Sequence, residues 1–289
     1  MSTSRRPSLA EVRQVGQAGV LARRSEEHWA GRLYMRALSA RVTRWVVSTP
    51  ALDRVSANAL TGLMILVGLA AAGLVALSPR WSTALLAAVL IQVYLLLDCV
   101  DGEVARWRRT TSAHGVYLDR LGHHVVEAAL VVGLGFRAAG GVWERGLRSG
   151  DLARPWELLT EGVPALLAFG ASWWMVLGAL SAVLVVLGKL ETDLVVVARV
   201  GAGLKPDAKR DPRSGNETIR GLRSLFAVLP LHRLIGAVEL SLLILLAAVI
   251  ERVVGGLAFT QGLAVAVAAV ALMVAVGHAL TVLTSRRLR

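Results

Sequence analysis

Long apolar segments dominate this 289-residue chain, and most are near the length that an α-helix needs to cross a bilayer. Six of them are predicted as membrane spans, at residues 59–77, 82–101, 117–135, 164–190, 235–250 and 258–282. Hydrophobic residues make up 55% of the chain and the mean hydropathy is +0.59, whereas soluble domains carry about 45–50% apolar residues. The sequence therefore predicts an all-α polytopic membrane protein with six transmembrane helices.

The segment before the first span alternates apolar and basic side chains. It reads RLYMRALSARVTRWVV, residues 32–47, and contains four arginines. A helix with this pattern can lie in the membrane interface with its arginines at lipid phosphates, or it can pack on its own domain as a soluble helix. We favour the interfacial helix and predict three regions: a polar N-terminal segment over 1–31, this helix with its connection over 32–57, and the membrane domain over 58–285.

Basic residues are distributed unevenly between the two predicted sides of the membrane. If the N-terminus is cytoplasmic, the inward segments hold 25 of the 32 Lys and Arg residues and the outward loops hold six. This is a strong positive-inside pattern, and it predicts a multi-pass protein of the cell membrane with both termini in the cytoplasm. The net charge of +12 then matches anionic lipid headgroups and requires no nucleic-acid partner.

Three aspartates and a histidine lie at adjacent ends of the second and third predicted spans. Asp98 and Asp101 are three residues apart, and Asp119 is four residues before His123, so each pair shares a helical face. Gly102 and Gly115, in the segment between the two pairs, would let the chain turn back, and two antiparallel helices would then bring all four side chains together at the cytoplasmic membrane boundary. Clustered carboxylates repel one another unless a cation lies between them, and their oxygens favour Mg²⁺, Mn²⁺ or Ca²⁺. The pattern indicates metal-assisted chemistry on a phosphate or pyrophosphate, the alternative being interfacial charges without a ligand.

The spacing of these residues resembles a known signature. They follow the pattern Asp98-x2-Asp101-Gly102-x2-Ala105-Arg106-x8-Gly115-x3-Asp119-x3-His123. The signature of the CDP-alcohol phosphotransferase (CDP-alcohol phosphatidyltransferase) family is D-x2-D-G-x2-A-R-x8-G-x3-D-x3-D, so seven of its eight fixed positions match. The departure is His123, which stands in place of the final aspartate.

This resemblance implies a reaction, a cofactor and a set of binding residues. A CDP-linked alcohol, with CDP-diacylglycerol expected and a CDP-polyol as the nearest variant, would donate its phospho-alcohol group to a small hydroxyl acceptor in phospholipid biosynthesis, releasing CMP. Mg²⁺ or Mn²⁺ would be held by Asp98, Asp101, Asp119 and His123. The nucleotide would be bound by Asn58, Thr61, Gly102, Ala105, Arg106 and Gly115. The resemblance also implies a homodimer.

His123 occupies the position from which the family's residue would take the acceptor's proton. A neutral imidazole can act as a general base near pH 7, and it can also ligate a metal, with a preference for softer ions than magnesium. We therefore expect His123 to be catalytic, with Glu127 either orienting its ring or replacing the lost carboxylate. The alternative is a catalytically silent relative that still binds nucleotide or metal.

The acceptor is the least constrained part of the prediction. Lys189, Arg199 and Arg233 are candidates for binding an acceptor phosphate, because they lie in the predicted inward part of the chain or at its edge. Glu103 lies inside the signature. An acidic residue at this position is similar to what is found in family branches that use polyol or inositol phosphate acceptors. An intramembrane prenyltransferase also binds metal-pyrophosphate through aspartates, but it predicts a second aspartate-rich motif in a later span, and this sequence has none.

Overall fold

The computed structural model describes residues 6–18, 29–142, 171–203 and 235–284, and its regular structure over these residues is entirely helical. The helices are α1 (Leu9–Gly16), α2 (Arg36–Ser48), α3 (Ala57–Leu77), α4 (Trp81–Trp107), α5 (Ala113–Ala138), α6 (Ala171–Gly201), α7 (Ala237–Val254) and α8 (Ala258–Thr284). A π-helical turn, Gly31–Met35, leads into α2, and a 3-10 turn, Pro50–Leu52, follows it. The predicted all-α class is confirmed over these residues.

Four helices of the described chain are long and apolar enough to cross a membrane. They are α3, α4, α6 from Trp173 and α8 as far as Leu280. Helices α5 and α7 coincide with the third and fifth predicted spans but are not among these four. The protein is thus a helical membrane protein, while the total of six spans stays a prediction. The start predicted for the fourth span, residue 164, lies outside the described residues.

The two helices that carry the signature are longer than the predicted spans. Helix α4 continues to Trp107 and α5 begins at Ala113, so Gly102 and Gly115 lie within helices and do not turn the chain as the sequence suggested. The reversal falls on residues 108–112, where Arg109 has a φ of 56°. The Arg108 guanidinium donates hydrogen bonds to backbone carbonyls just before α3. The signature residues therefore stand on rigid elements, which suits a precise site.

Contacts between Cα atoms divide the chain into two compact units. The first comprises Met1–Ala70 and Val89–Val126, and the second comprises Ala71–Ala88 and Glu127–Arg289. All of the metal-binding and nucleotide-binding residues predicted from the signature fall in the first unit, whereas Lys189 and Arg199 fall in the second.

In the first unit, helix α2 is fixed by a small apolar core. This core consists of Val46, Leu60, Val100 and Val104. Val42 packs at its edge, but Leu33, Leu38 and Trp45 are exposed, Trp45 to 62%. The apolar side chains of the amphipathic segment are therefore split between the protein interior and the surface. The exposed ones remain available for the predicted contact with lipid.

In the second unit, α6 and α7 both pack against α8. Small residues permit close helix approaches here: a Cβ at Gly178 would lie 2.8 Å from the Cα of Gly135, as is common between membrane helices. Glu251 near the end of α7 accepts hydrogen bonds from the backbone N–H and the hydroxyl of Thr260, at 2.5 and 2.8 Å. The turn between α7 and α8 is fixed by this carboxylate.

Candidate metal centre and active site

Helices α4 and α5 bring three of the predicted ligands together. His123 Nε2 lies 3.1 Å from Asp98 Oδ1 and 3.5 Å from Asp119 Oδ1. One ligand atom from each of the three side chains lies within 4.8 Å of the other two. The side chains of Asp98, His123 and Asp119 are 25%, 32% and 41% exposed, so the cluster is partly open. We call these three residues the metal cluster.

The chemistry of the metal cluster fits a divalent cation. Asp119 Oδ1 is buried and has no hydrogen-bond partner among the described residues, and a buried oxygen in that condition suits an ion or an ordered water. Two carboxylates without a cation would repel each other. Carboxylate oxygens with an imidazole form a donor set that accepts Mn²⁺ and also Mg²⁺, with less preference for the latter. The residues present therefore fit the predicted cofactor.

Asp101 does not belong to this three-residue group, although the sequence placed it among the ligands. It is 6% exposed, and its Oδ2 accepts a hydrogen bond of 2.5 Å from Thr61 Oγ1. Thr61 is itself buried. Its hydroxyl is thus committed to orienting Asp101, whereas the sequence assigned Thr61 to the nucleotide.

Two of the other predicted nucleotide residues are neighbours. A Cβ at Gly115 would lie 3.2 Å from Asn58 Oδ1, so the glycine gives the amide of Asn58 its room beside α5. Asn58 is exposed and Gly115 is half-buried. Together they form an accessible polar corner of the first unit, in which a nucleotide could be bound.

The remaining signature residues lie along α4. A Cβ at Gly102 would lie 3.2 Å from a guanidinium nitrogen of Arg106, so Gly102 lets the arginine lie along its own helix. Arg106 Nε donates a hydrogen bond to the carbonyl of Gly16 at the end of α1. Ala105 is half-buried. Arg106 therefore orders the N-terminal segment, and its assignment to the nucleotide stays a prediction.

Glu103 has a structural environment that the sequence did not reveal. It is fully buried and accepts hydrogen bonds from Gln17 Nε2, Ser39 Oγ and Thr43 Oγ1 at 2.8, 2.6 and 2.7 Å. An Arg36 guanidinium nitrogen lies 3.7 Å away. The carboxylate thus fastens α2 and the end of α1 to α4. With both oxygens used in this way, Glu103 gives no support to the suggested link with the acceptor.

Tyr94 is a neighbour of the metal cluster that the sequence analysis missed. Its hydroxyl lies 2.5 Å from His123 Nδ1, and the two rings meet edge to face with centroids 5.7 Å apart. A signal was available, because Tyr94 stands four residues before Asp98 and so shares its helical face. Glu127, the residue expected to orient the ring, instead pairs with Lys189 at 2.5 Å.

The acceptor candidates have mixed outcomes. Lys189 is bound to Glu127, which leaves less reason to assign it to a phosphate. Arg199 is half-buried near the end of α6. Arg233 lies outside the described residues. Their role in acceptor binding stays a prediction.

Comparison with known families places this geometry in context. The family model described as CDP-alcohol phosphatidyltransferase matches residues 54–285. The chain belongs to this family. No curated protein sequence matches the chain. Membership in the CDP-alcohol phosphatidyltransferase family implies a CDP-alcohol donor, an alcohol acceptor, a membrane setting and the use of divalent metals. It gives no support to the prenyltransferase alternative.

The match begins at residue 54, so α1 and α2 lie before it. The part of the chain that Glu103 fastens to the signature helix therefore lies outside the matched region. The matched region contains the metal cluster, the Asp101–Thr61 pair and the corner at Asn58.

Proposed function

We propose that this CDP-alcohol phosphatidyltransferase family member transfers phosphatidyl from CDP-diacylglycerol to a hydroxyl group of a small polar acceptor, such as a polyol or inositol phosphate, and releases CMP for phospholipid biosynthesis. The observation that carries the proposal is the convergence of Asp98, Asp119 and His123, with ligand atoms within 4.8 Å of one another. The distribution of basic residues supports a cytoplasmic site, and the homodimer implied by the resemblance is part of the same proposal.

The metal cluster is the proposed binding site for the cofactor. Mg²⁺ or Mn²⁺ held by Asp98, Asp119 and His123 would neutralise charge on the pyrophosphate and make CMP a better leaving group. Asp101, oriented by Thr61, is the proposed further ligand. The partial exposure of the cluster leaves room for phosphate oxygens, which commonly share a magnesium ion with only one or two carboxylates.

The nucleotide is assigned to the corner formed by Asn58 and Gly115 and to the half-buried edge of α4 at Gly102 and Ala105. An amide side chain can both donate and accept hydrogen bonds, as recognition of a cytosine base or a ribose requires. Arg106 contributes indirectly, because its contact with Gly16 holds the N-terminal segment beside this edge.

His123 carries the proposed proton transfer. As the acceptor oxygen forms its bond to the phosphatidyl phosphorus, the bond from that phosphorus to the CMP oxygen breaks, and the electron pair leaves with CMP. Nε2 of His123 would take the hydroxyl proton. A nitrogen bound to a cation has no lone pair for a proton, so the roles of base and ligand exclude each other at a given moment. Variants at this position distinguish the two roles.

The test is CMP release by the purified full-length protein in lipid vesicles. The donors are CDP-diacylglycerol and a CDP-polyol, each with Mg²⁺ or Mn²⁺ and with pools of glycerol 3-phosphate, inositol, inositol phosphate, serine and other polyols. We expect metal-dependent release with CDP-diacylglycerol and one acceptor pool. Release with the CDP-polyol alone would overturn the proposed donor.

Two His123 variants sharpen this test. We expect His123→Asp, which restores the family carboxylate, to retain or raise turnover with Mg²⁺, and His123→Ala to lose it. Turnover by His123→Ala equal to that of the parent would exclude the histidine as base. An inactive parent together with an active His123→Asp protein would show that the chain is a silent relative whose histidine replaced a working carboxylate.

A further inference from the structure

The His123 ring is held from both sides. Its Nε2 faces Asp98 and Asp119, whereas its Nδ1 meets the hydroxyl of Tyr94 at 2.5 Å. Tyr94 is 2% exposed and is packed edge to face on the imidazole, with an angle of 90° between the ring planes. The imidazole therefore has polar contacts on both sides, with two aspartates at Nε2 and with Tyr94 at Nδ1.

Packing of the surrounding helices fixes Tyr94 in this position. A Cβ at Gly68 would lie 2.6 Å from Val126 and 3.0 Å from the Tyr94 ring. A Cβ at Gly122, next to His123, would lie 2.7 Å from Ile65. Both glycines thus allow α3 to lie close against the helices that carry Tyr94 and His123. Because the ring of Tyr94 has little room to move, its hydroxyl position is set by the fold.

A histidine that binds a metal or takes a proton at Nε2 must carry its own proton at Nδ1. Such histidines almost always donate the second ring N–H to a carboxylate, a carbonyl or a water, which fixes both the tautomer and the ring orientation. A phenol hydroxyl can accept that hydrogen bond, and it can rotate to donate one when Nδ1 is unprotonated. An aspartate at position 123 would need no such partner, because a carboxylate has no ring N–H and no tautomer to be fixed.

We propose that Tyr94 is the positioning residue for His123, accepting the Nδ1–H hydrogen bond so that the Nε2 lone pair faces the cation between Asp98 and Asp119. This inference rests on the proposed metal-dependent function. It assigns to this chain a tyrosine–histidine pair that replaces the single carboxylate of the family signature. Tyr94 acts through His123 and does not itself touch the substrate or the cation.

The test is a double-mutant cycle read by Mn²⁺ binding, which requires no turnover. The four proteins are the parent, Tyr94→Phe, His123→Asp and the double variant, each with its Mn²⁺ affinity measured by electron paramagnetic resonance. We expect Tyr94→Phe to weaken Mn²⁺ binding about 10-fold, as loss of an outer-shell partner does, but to change it less than twofold in the His123→Asp background. The matched control is Tyr34→Phe, which removes the hydroxyl that donates to Gln92.

A second measurement reads the ring directly. In protein labelled with ¹⁵N-histidine, the His123 ring signals are assigned by their absence from His123→Asp. We expect Tyr94→Phe to shift both ring nitrogen signals, while Tyr34→Phe leaves them unchanged. Phenylalanine keeps the edge-to-face packing, and an unchanged thermal midpoint would confirm that the fold persists.

Several outcomes would overturn the assignment. An equal loss of Mn²⁺ affinity in both backgrounds would mean that Tyr94 acts through packing alone, and unchanged ring signals would mean that it does not set the tautomer. Failure of the proposed function looks different. In that case the parent protein binds no Mn²⁺, and the ring signals alone decide whether Tyr94 positions His123.

Discussion

Helix α4 carries two carboxylate sites five residues apart, at Asp98 and at Glu103, and they differ in how the protein satisfies them. Glu103 is fully buried, and both of its oxygens accept hydrogen bonds from hydroxyl or amide groups. Asp98 is a quarter exposed and faces a histidine beside a second carboxylate. A buried carboxylate with a full set of donors is a structural element. A carboxylate beside another one, with an unsatisfied oxygen in the group, is a candidate for a ligand.

Asp101 stands between these two extremes, both along the helix and in its chemistry. It is nearly as buried as Glu103 and has a protein donor in Thr61, yet it belongs to the signature that the metal cluster shares. This gradient along one helix separates a residue that holds the fold from the candidate metal ligands. It can be tested by changing one carboxylate at a time.

The largest effect is expected at the metal cluster. Asp119→Asn should weaken Mn²⁺ binding and lower CMP release by more than about 100-fold, since even outer-shell partners of a metal contribute about 10- to 100-fold. Stability should change little, because asparagine keeps the shape of the side chain while the substitution weakens both a repulsion by Asp98 and the contact with His123. Mn²⁺ titration and the thermal midpoint measure the two quantities. The control is Asp53→Asn, at an aspartate whose side chain is 74% exposed. Unchanged Mn²⁺ binding in Asp119→Asn would contradict the contrast between an open metal cluster and a structural Glu103.

The opposite pattern is expected at Glu103. Glu103→Ala should lower the free energy of unfolding by about 3 kcal/mol, because buried donors left without an acceptor cost about 1–3 kcal/mol each. Limited proteolysis should then cut α1 and α2, which the carboxylate holds. Mn²⁺ affinity should change no more than about twofold, since sites without shared partners are independent to within about 0.5 kcal/mol. Glu103→Gln, which retains one acceptor oxygen, should be milder. A stable Glu103→Ala protein that no longer binds Mn²⁺ would contradict the structural assignment.

The smallest effect is expected at Thr61. Thr61→Val removes the hydroxyl that donates to Asp101 while keeping the shape of the side chain, and should cost about 1–2 kcal/mol of stability. CMP release should fall by about 10-fold, because Asp101 loses its orientation. Thr61→Ser should restore both quantities, and thermal unfolding with the CMP assay measures them. A serine variant as impaired as the valine variant would mean that the methyl group matters and the hydrogen bond does not.

The sequence predicted the fold class and much of the metal cluster because both depend on local periodicity. Runs of apolar residues predicted the helices, and the spacing of Asp98, Asp119 and His123 predicted that two helices would bring these side chains together. The same reasoning placed Gly102 and Gly115 at a turn, although both helices continue through them. Glycine is permissive in a turn but is also tolerated in a packed helix, and the sequence gives no means of choosing between these.

The partners of individual side chains could not be predicted. Tyr94 reads as one more apolar residue of a span, and its hydroxyl acquires a role only where α5 places His123 beside it. Glu127 was expected at the histidine ring, but Lys189, more than sixty residues further along the chain, binds it. Such contacts join distant segments, so no periodic pattern reports them.

By itself the sequence determined that this chain is a helical membrane protein whose signature belongs to the CDP-alcohol phosphatidyltransferase family, because helix length, apolar content and residue spacing are local properties. Only the tertiary structure decided which carboxylates are satisfied and which are open. Glu103 is not free to bind a ligand, because it accepts hydrogen bonds from protein groups such as Gln17, which lies 86 residues earlier. Asp119, in contrast, has a buried oxygen that accepts no hydrogen bond from the described residues. Whether a charged group binds the protein or a ligand depends on which donors folding brings within about 3 Å of it.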